Sequence, residues 1–110
     1  MKLINSSKKV ILATDLKLVE SFLDRVLGLL NPSNSRSLLF KTRFGIHTFF
    51  LKEPIDIIVL DNKYKAVKIK KNLKPFRLFF WNLRFQLVIE LPKNVLIQTK
   101  THVGDELIVE

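Results

Sequence analysis

Cysteine is absent from these 110 residues, which removes disulfides, thiol nucleophiles and thiolate metal sites together and leaves the redox compartment open. Glycine is scarce. Gly28, Gly45 and Gly104 stand alone, so no Gly-rich loop is available to cradle a phosphate. His47 and His102 lie far apart, with no His-x-His or His-Glu-x-x-His spacing, so no metal site and no cofactor are expected. No serine sits in a G-x-S-x-G elbow, and acyl-enzyme chemistry has no support. No apolar run approaches the roughly 20 residues of a membrane helix, and the run from Val10 to Ala13 is too short for an export signal. The chain therefore reads as one cytoplasmic domain over residues 1–110, without a transmembrane segment. Acids are also few: ten Asp and Glu against nineteen Lys and Arg give a net charge of +9.

What is present is a globular composition, 47% hydrophobic and 26% charged, enough to bury a core of its own. Between Asp15 and Leu29 the apolar residues Leu16, Val19, Leu23, Val26 and Leu27 recur at helical spacing, which predicts an amphipathic helix started by Thr14-Asp15. Afterwards the pattern becomes β. Strands are expected over 37–40, 47–51, 55–60, 66–70, 78–81, 85–91 and 107–109, with an earlier one over 10–13. Asp61-Asn62-Lys63 suits the turn of a hairpin joining 55–60 to 66–70, since Asp and Asn bond their own backbone and accept left-handed geometry. Pro75 and Pro92 cannot donate to a ladder and belong at strand starts, edges or turns. The expected fold is α+β: a β-dominated, curved or barrel-like, mostly antiparallel sheet with one amphipathic N-terminal helix.

Three polar residues interrupt the apolar stretch from Phe44 to Asp61: His47, Asp56 and Asp61. A buried carboxylate or imidazole needs hydrogen bonds to be tolerated, so these are the candidate ligand-binding residues. His47 and Asp56 can be read as a general-base dyad, or as two structural hydrogen-bonders that pin loop ends. A three-residue loop pairing Leu51 with Ile55 puts them on opposite faces, and a shift of one residue puts them on the same face. No catalytic residue is assigned, and the enzyme reading leans towards no.

A series of short motifs runs in order through the chain: Arg25-Val-Leu-Gly28-Leu-Leu30, Ser37-Leu-Leu-Phe40, Gly45-Ile-His47-Thr-Phe-Phe-Leu51, Pro54-Ile-Asp56-Ile-Ile-Val-Leu-Asp61, Leu73-Lys-Pro75, Glu90-Leu-Pro92 and Val103-Gly104-Asp105. In this order and spacing the chain resembles the family called domain of unknown function 192, from about Val10 to Val109. Two positions depart from that pattern: Asn94 stands where a glycine usually follows Glu-Leu-Pro, and Leu51 where a methionine is common. The resemblance implies a compact β-dominated fold and brings no catalytic residues with it.

The basic balance points outward. Lys63, Lys65, Lys68, Lys70, Lys71, Lys74 and Arg77 follow one another with no acid between them, and Phe76, Phe79, Phe80, Trp81 and Phe85 begin where they end. Aromatic rings beside a cationic track are what single-stranded nucleic-acid binding uses. The alternative is a lysine-guarded edge strand with the rings in the core, Trp81 among them. Within the track Lys68, Lys70, Lys71, Lys74 and Arg77 are the candidate nucleic-acid contacts. The sequence thus points to a non-enzymatic binding or accessory module of unknown ligand. Its partner is open, with an anionic surface or nucleic acid as the specific possibility; an enzyme using His47 and Asp56 is the remaining one.

Overall fold

The computed structural model describes residues 1–19, 37–42, 45–48 and 51–110. Among them are strands β1 (Leu3–Asn5), β2 (Val10–Ala13), β3 (Lys17–Leu18), β4 (Leu38–Lys41), β5 (Gly45–His47), β6 (Ile55–Leu60), β7 (Ala66–Leu73), β8 (Leu78–Phe80), β9 (Leu87–Pro92) and β10 (Leu107–Val109), with helix α1 (Val95–Gln98) before the last strand. They form a five-stranded sheet ordered β3-β4-β9-β6-β7, a three-stranded sheet ordered β10-β1-β2 and a two-stranded ribbon of β5 and β8.

β6 shows how these pieces stack, since all six of its residues are buried. A strand is buried throughout only when both of its faces are covered. Ile58 and Leu60 point to one side and join Leu3, Leu12, Ile89, Leu91, Leu96 and Leu107, so the three-stranded sheet and α1 cover that face. Ile55, Ile57 and Val59 point to the other side and join Ile46, Phe79, Trp81 and Val88, so the β5–β8 ribbon covers the opposite face. Asp56 falls in phase with Ile58, on the α1 side. The ends of the chain meet, with the Lys2 N–H 2.8 Å from the Glu110 carbonyl and the Glu110 N–H 2.9 Å from the Lys2 carbonyl.

The expected fold class needs correction in three respects. First, the N-terminal helix from Asp15 does not form at its start: Lys17 and Leu18 are extended and pair in parallel with Leu38 and Leu39. Leu16 and Val19 are buried there, so a helical spacing of apolar residues was met by an extended segment anchored at two points. The remainder of that expected helix, from Glu20 onward, lies outside the described residues. The helix that is described sits near the C-terminus instead.

Second, the sheets do not close into a barrel. The five-stranded sheet ends at β3 and at β7, and β7 carries the exposed lysines Lys68, Lys70 and Lys71 along an edge, which disfavours further pairing. Third, β5 does not form a hairpin with β6. It pairs antiparallel with β8, Gly45 opposite Phe80 and His47 opposite Leu78, so neither of the two registers weighed for 47–51 against 55–60 occurs. Among the described residues no helix is long and apolar enough to cross a membrane.

Candidate functional site

Asp56 is fully buried in β6, and each of its oxygens accepts a backbone N–H: Oδ1 from Asn72 at 2.8 Å and Oδ2 from Leu96 at 2.8 Å. The second bond explains why a four-residue helix holds. Asn94, its N-cap residue, makes no side-chain capping bond and is left-handed at φ 72°, so the capping carboxylate comes from another strand. Asn here supplies the left-handed backbone that glycine would otherwise give. Asn72, itself at φ 54°, closes the network by donating from Nδ2 to Asn94 Oδ1 at 3.0 Å and accepting the Asn94 N–H at 3.1 Å.

Asp61 is a turn residue. Its Oδ1 accepts the N–H groups of Lys63 at 2.8 Å and Lys65 at 2.9 Å, closing the β6–β7 hairpin. His47 lies on the ribbon that covers the other face of the sheet, opposite Leu78. The five-stranded sheet therefore separates His47 from the Asp56 carboxylate. The three candidate ligand-binding residues do not converge, and the dyad geometry is not present.

A second polar cluster was not singled out in the sequence. Asn5 and Thr101 are fully buried and Asp105 nearly so. Asn5 Nδ2 donates to Thr101 Oγ1 at 3.0 Å and to Asp105 Oδ2 at 2.9 Å. Asp105 also accepts the His102 N–H at 2.9 Å and pairs with the Lys8 ammonium at 3.1 Å. Burial pushes this carboxyl up, but the donors from Asn5, His102 and Lys8, with the Lys8 charge, outweigh it and hold the group below the ordinary 3.8. The arrangement ties β1 to the turn before β10 and is closed by its own partners.

The cationic track is arranged differently from a simple two-faced hairpin. Register shifts along β6 and β7 put Val67 against the ribbon-side cluster and Ile69 against the α1-side cluster. Lys68 pairs with Val59 and Lys70 with Ile57, and directly opposed residues share a face. Both lysines therefore flank the ribbon. Lys68 is engaged there: its ammonium donates to the Phe80 carbonyl at 2.7 Å and lies 4.9 Å from the Phe79 ring centroid. Lys70, Lys71, Lys74 and Arg77 are exposed.

The aromatics divide by strand parity. Phe79 and Trp81 turn inward with their rings 5.8 Å apart, and Trp81 Nε1 donates to the Phe85 carbonyl at 2.8 Å; Trp81 is buried, as the core reading requires. Phe76, Leu78 and Phe80 are 69%, 57% and 52% exposed. The Phe80 ring lies over Gly45, where an added Cβ would come within 2.6 Å of Phe80 Cδ1. No other residue can stand opposite Phe80 without displacing it.

Phe76 is the least expected residue. Its backbone is left-handed, φ 60°, a conformation that costs a non-glycine residue on the order of 1–2 kcal/mol. Tyr64 shares that geometry at φ 62° but is half-buried against the core, whereas Phe76 is held out in water. Thr48, fully buried, enforces the conformation: its carbonyl accepts the Phe76 N–H at 3.2 Å, and its hydroxyl donates to the Lys74 carbonyl at 2.7 Å and accepts the Arg77 N–H at 2.9 Å. The sequence held no signal for Phe76, but it held one for the strand that follows: Leu78 and Phe80 alternate with Phe79 and Trp81, so both faces of β8 read as core, while only one face lies on the sheet.

The family model DUF192, described as Uncharacterized ACR, matches residues 3–109. A UPF0127 protein of Pyrococcus horikoshii is 32% identical over 111 residues, covering 96% of this chain and 96% of that protein. Among solved structures, a protein of unknown function from Novosphingobium aromaticivorans superposes with a TM-score of 0.77 at 14% identity, over 98% of this chain and 82% of that one. Another, from Sinorhizobium meliloti and described as a candidate transcription regulator, gives 0.75 at 18% identity, over 97% and 89%. At these identities the two structures carry the fold alone.

Proposed function

The chain belongs to the DUF192 family, whose description carries no activity, and on that footing we propose that it is a non-enzymatic binding module. Its binding face is the outer side of the β5–β8 ribbon together with the cationic rim of β7 and the turn that follows. The observation that carries this reading is Phe76, a large ring 69% exposed on a left-handed backbone. Strain of that kind persists only where surrounding structure enforces it, and it concentrates at binding and catalytic sites. Here Thr48 enforces it, and Lys74 and Arg77 flank it in the same turn. His47 belongs to this face beside Leu78.

Asp56 and Asp61 take no part in binding under this reading, because their oxygens serve backbone N–H groups of turns and a helix start. Residues 1–110 act as one domain, a reading supported by the pairing of β1 with β10 from opposite ends of the chain. An affinity capture from source-cell lysate, with and without nuclease, compares the wild-type chain with Phe76→Ser. Phe76→Ser is expected to release the wild-type partners while melting at the same temperature. Identical captured sets from the two proteins would remove the ribbon face from consideration.

A further inference from the structure

Resting on that reading of the face, we infer that its ligand is single-stranded nucleic acid, bound without base specificity, with bases stacked on Phe76 and Phe80 and phosphates on Lys70, Lys74 and Arg77. The geometry supplies the two things such binding needs. One is a row of cations beside exposed rings. Lys68 reaches the Phe80 carbonyl at one end of β8, and the Lys74–Arg77 turn closes the other, so Lys70 lies between them along the ribbon's flank. From Lys63 to Arg77 no acid interrupts the series, and a run of like charges of this kind favours an anionic partner. The ammonium of Lys68 is committed within the protein, which leaves Lys70 and Lys74 to meet phosphates, with Arg77, whose guanidinium makes one long, exposed bond of 3.4 Å to the Phe76 carbonyl.

The other requirement is rings held in fixed positions. Alternate residues of a strand stand about 6.6 Å apart on one face, so Leu78 and Phe80 form a short apolar platform, and exposed Phe76 stands in the turn that leads into it. Gly45 seats the Phe80 ring, and the hydrogen bonds of Thr48 fix the turn backbone from which Phe76 projects. Pre-set rings lower the ordering cost of stacking. A lipid surface gains nothing from such fixing, and three side chains bury little area for membrane attachment. A duplex keeps its bases paired and stacked, out of reach of a ring on a flat ribbon. Single-stranded bases meet both features, and lysine positions charge without reading base edges.

Fluorescence anisotropy with a short labelled oligo(dT) tests this, alongside duplex DNA, heparin and phosphatidylserine vesicles. Oligo(dT) is expected to bind at low salt, with log K falling by about 0.7 per phosphate contact for each unit of log salt. The double variant Lys74→Gln/Arg77→Gln should flatten that slope by about 1.4. Phe76→Ala and Phe80→Ala should each weaken oligo(dT) about 5- to 150-fold with the slope unchanged. Phe76→Gly, which suits the left-handed backbone, repeats the Phe76 test without risk to the fold. Heparin and duplex DNA bound as tightly as oligo(dT), with the Phe variants inert, would overturn the inference in favour of charge alone. Vesicle binding lost in Phe76→Gly, with oligo(dT) ignored, would overturn the ligand and keep the face. No binding of any probe would overturn the inference.

Discussion

The two sides of the five-stranded sheet use polar groups to different ends, although each encloses a carboxylate, Glu90 being fully buried on the ribbon side opposite Ile57. On the α1 side, carboxylates are enclosed and supplied with donors: Asp56 by two backbone N–H groups, Asp105 by Asn5, His102 and Lys8. On the ribbon side a buried hydroxyl, that of Thr48, uses its bonds to hold an apolar ring in solvent. A carboxylate whose oxygens all serve backbone amides has little capacity left for a ligand, and its loss costs stability. An exposed ring held by a strained backbone contributes little to folding, so its loss should cost something else. Asp56 and Asp105 serve architecture, whereas Phe76, Leu78 and Phe80 are the exposed apolar residues of the proposed binding face; Ile11, Leu18, Ile97, Val103 and Ile108 are exposed elsewhere.

That contrast can be broken at several points. The largest effect is expected within the ribbon itself: Trp81→Ala removes a buried indole and its bond to Phe85 and should cost about 3–5 kcal/mol in chemical denaturation. Leu78→Ala on the outer face should change stability by under about 0.5 kcal/mol. Equal costs would mean that the two faces of β8 are not as different as described. Next, Asp56→Asn presents an amide N–H₂ to one of two buried N–H donors and should cost about 2–4 kcal/mol, with oligo(dT) affinity of the folded protein unchanged. Lost binding at full thermal stability would move Asp56 from scaffold to site.

The pH dependence sharpens the same point. The folded pKa of Asp105 lies below its unfolded 3.8, so as pH falls the unfolded chain takes up the proton first. The stabilisation from this carboxylate is present above the unfolded value and is lost as pH drops through the folded one. The stability difference between wild type and Asp105→Asn should therefore be flat near neutrality and narrow below pH 3.8. A difference independent of pH would mean that charge is not what the cluster uses. The smallest effect belongs to Phe76→Gly, which relieves left-handed strain at some cost in chain entropy and should stay within about 1 kcal/mol of wild type. A large destabilisation would show that Phe76 packs in the fold.

Much of the strand pattern could be read in advance, for reasons visible in particular residues. β2, β6 and β10 have the expected limits, because each is an apolar run bounded by polar or turn residues. The β6–β7 turn followed from Asp61, whose side chain makes the local bonds its chemistry favours. The helix expected from Asp15 failed at Lys17 because a partner strand distant in sequence, β4, outweighs local periodicity. β1 is only three residues long, and its place comes as much from Val109, at the other end of the chain, as from nearby Ala13. α1 has no acid in its first turn; its cap, Asp56, stands forty positions away. Of the candidate site, the cations were visible as a run of lysines. The exposure of Phe76 was not, since that depends on Thr48 reaching the turn from another strand.

Asp56 also has a consequence for how the structure breathes. A helix as short as α1 has almost no protection of its own against solvent exchange, so the Leu96 amide should exchange slowly only while the strand carrying its acceptor stays in place. The Asn72 amide, in β7, is held by the other oxygen of the same carboxylate. Two amides on separate elements then report one opening event, and their exchange rates should rise together with denaturant, as members of one cooperative unit. Asp56, with the Asn72–Asn94 pair beside it, should thus couple the β6–β7 hairpin to the segment before β10.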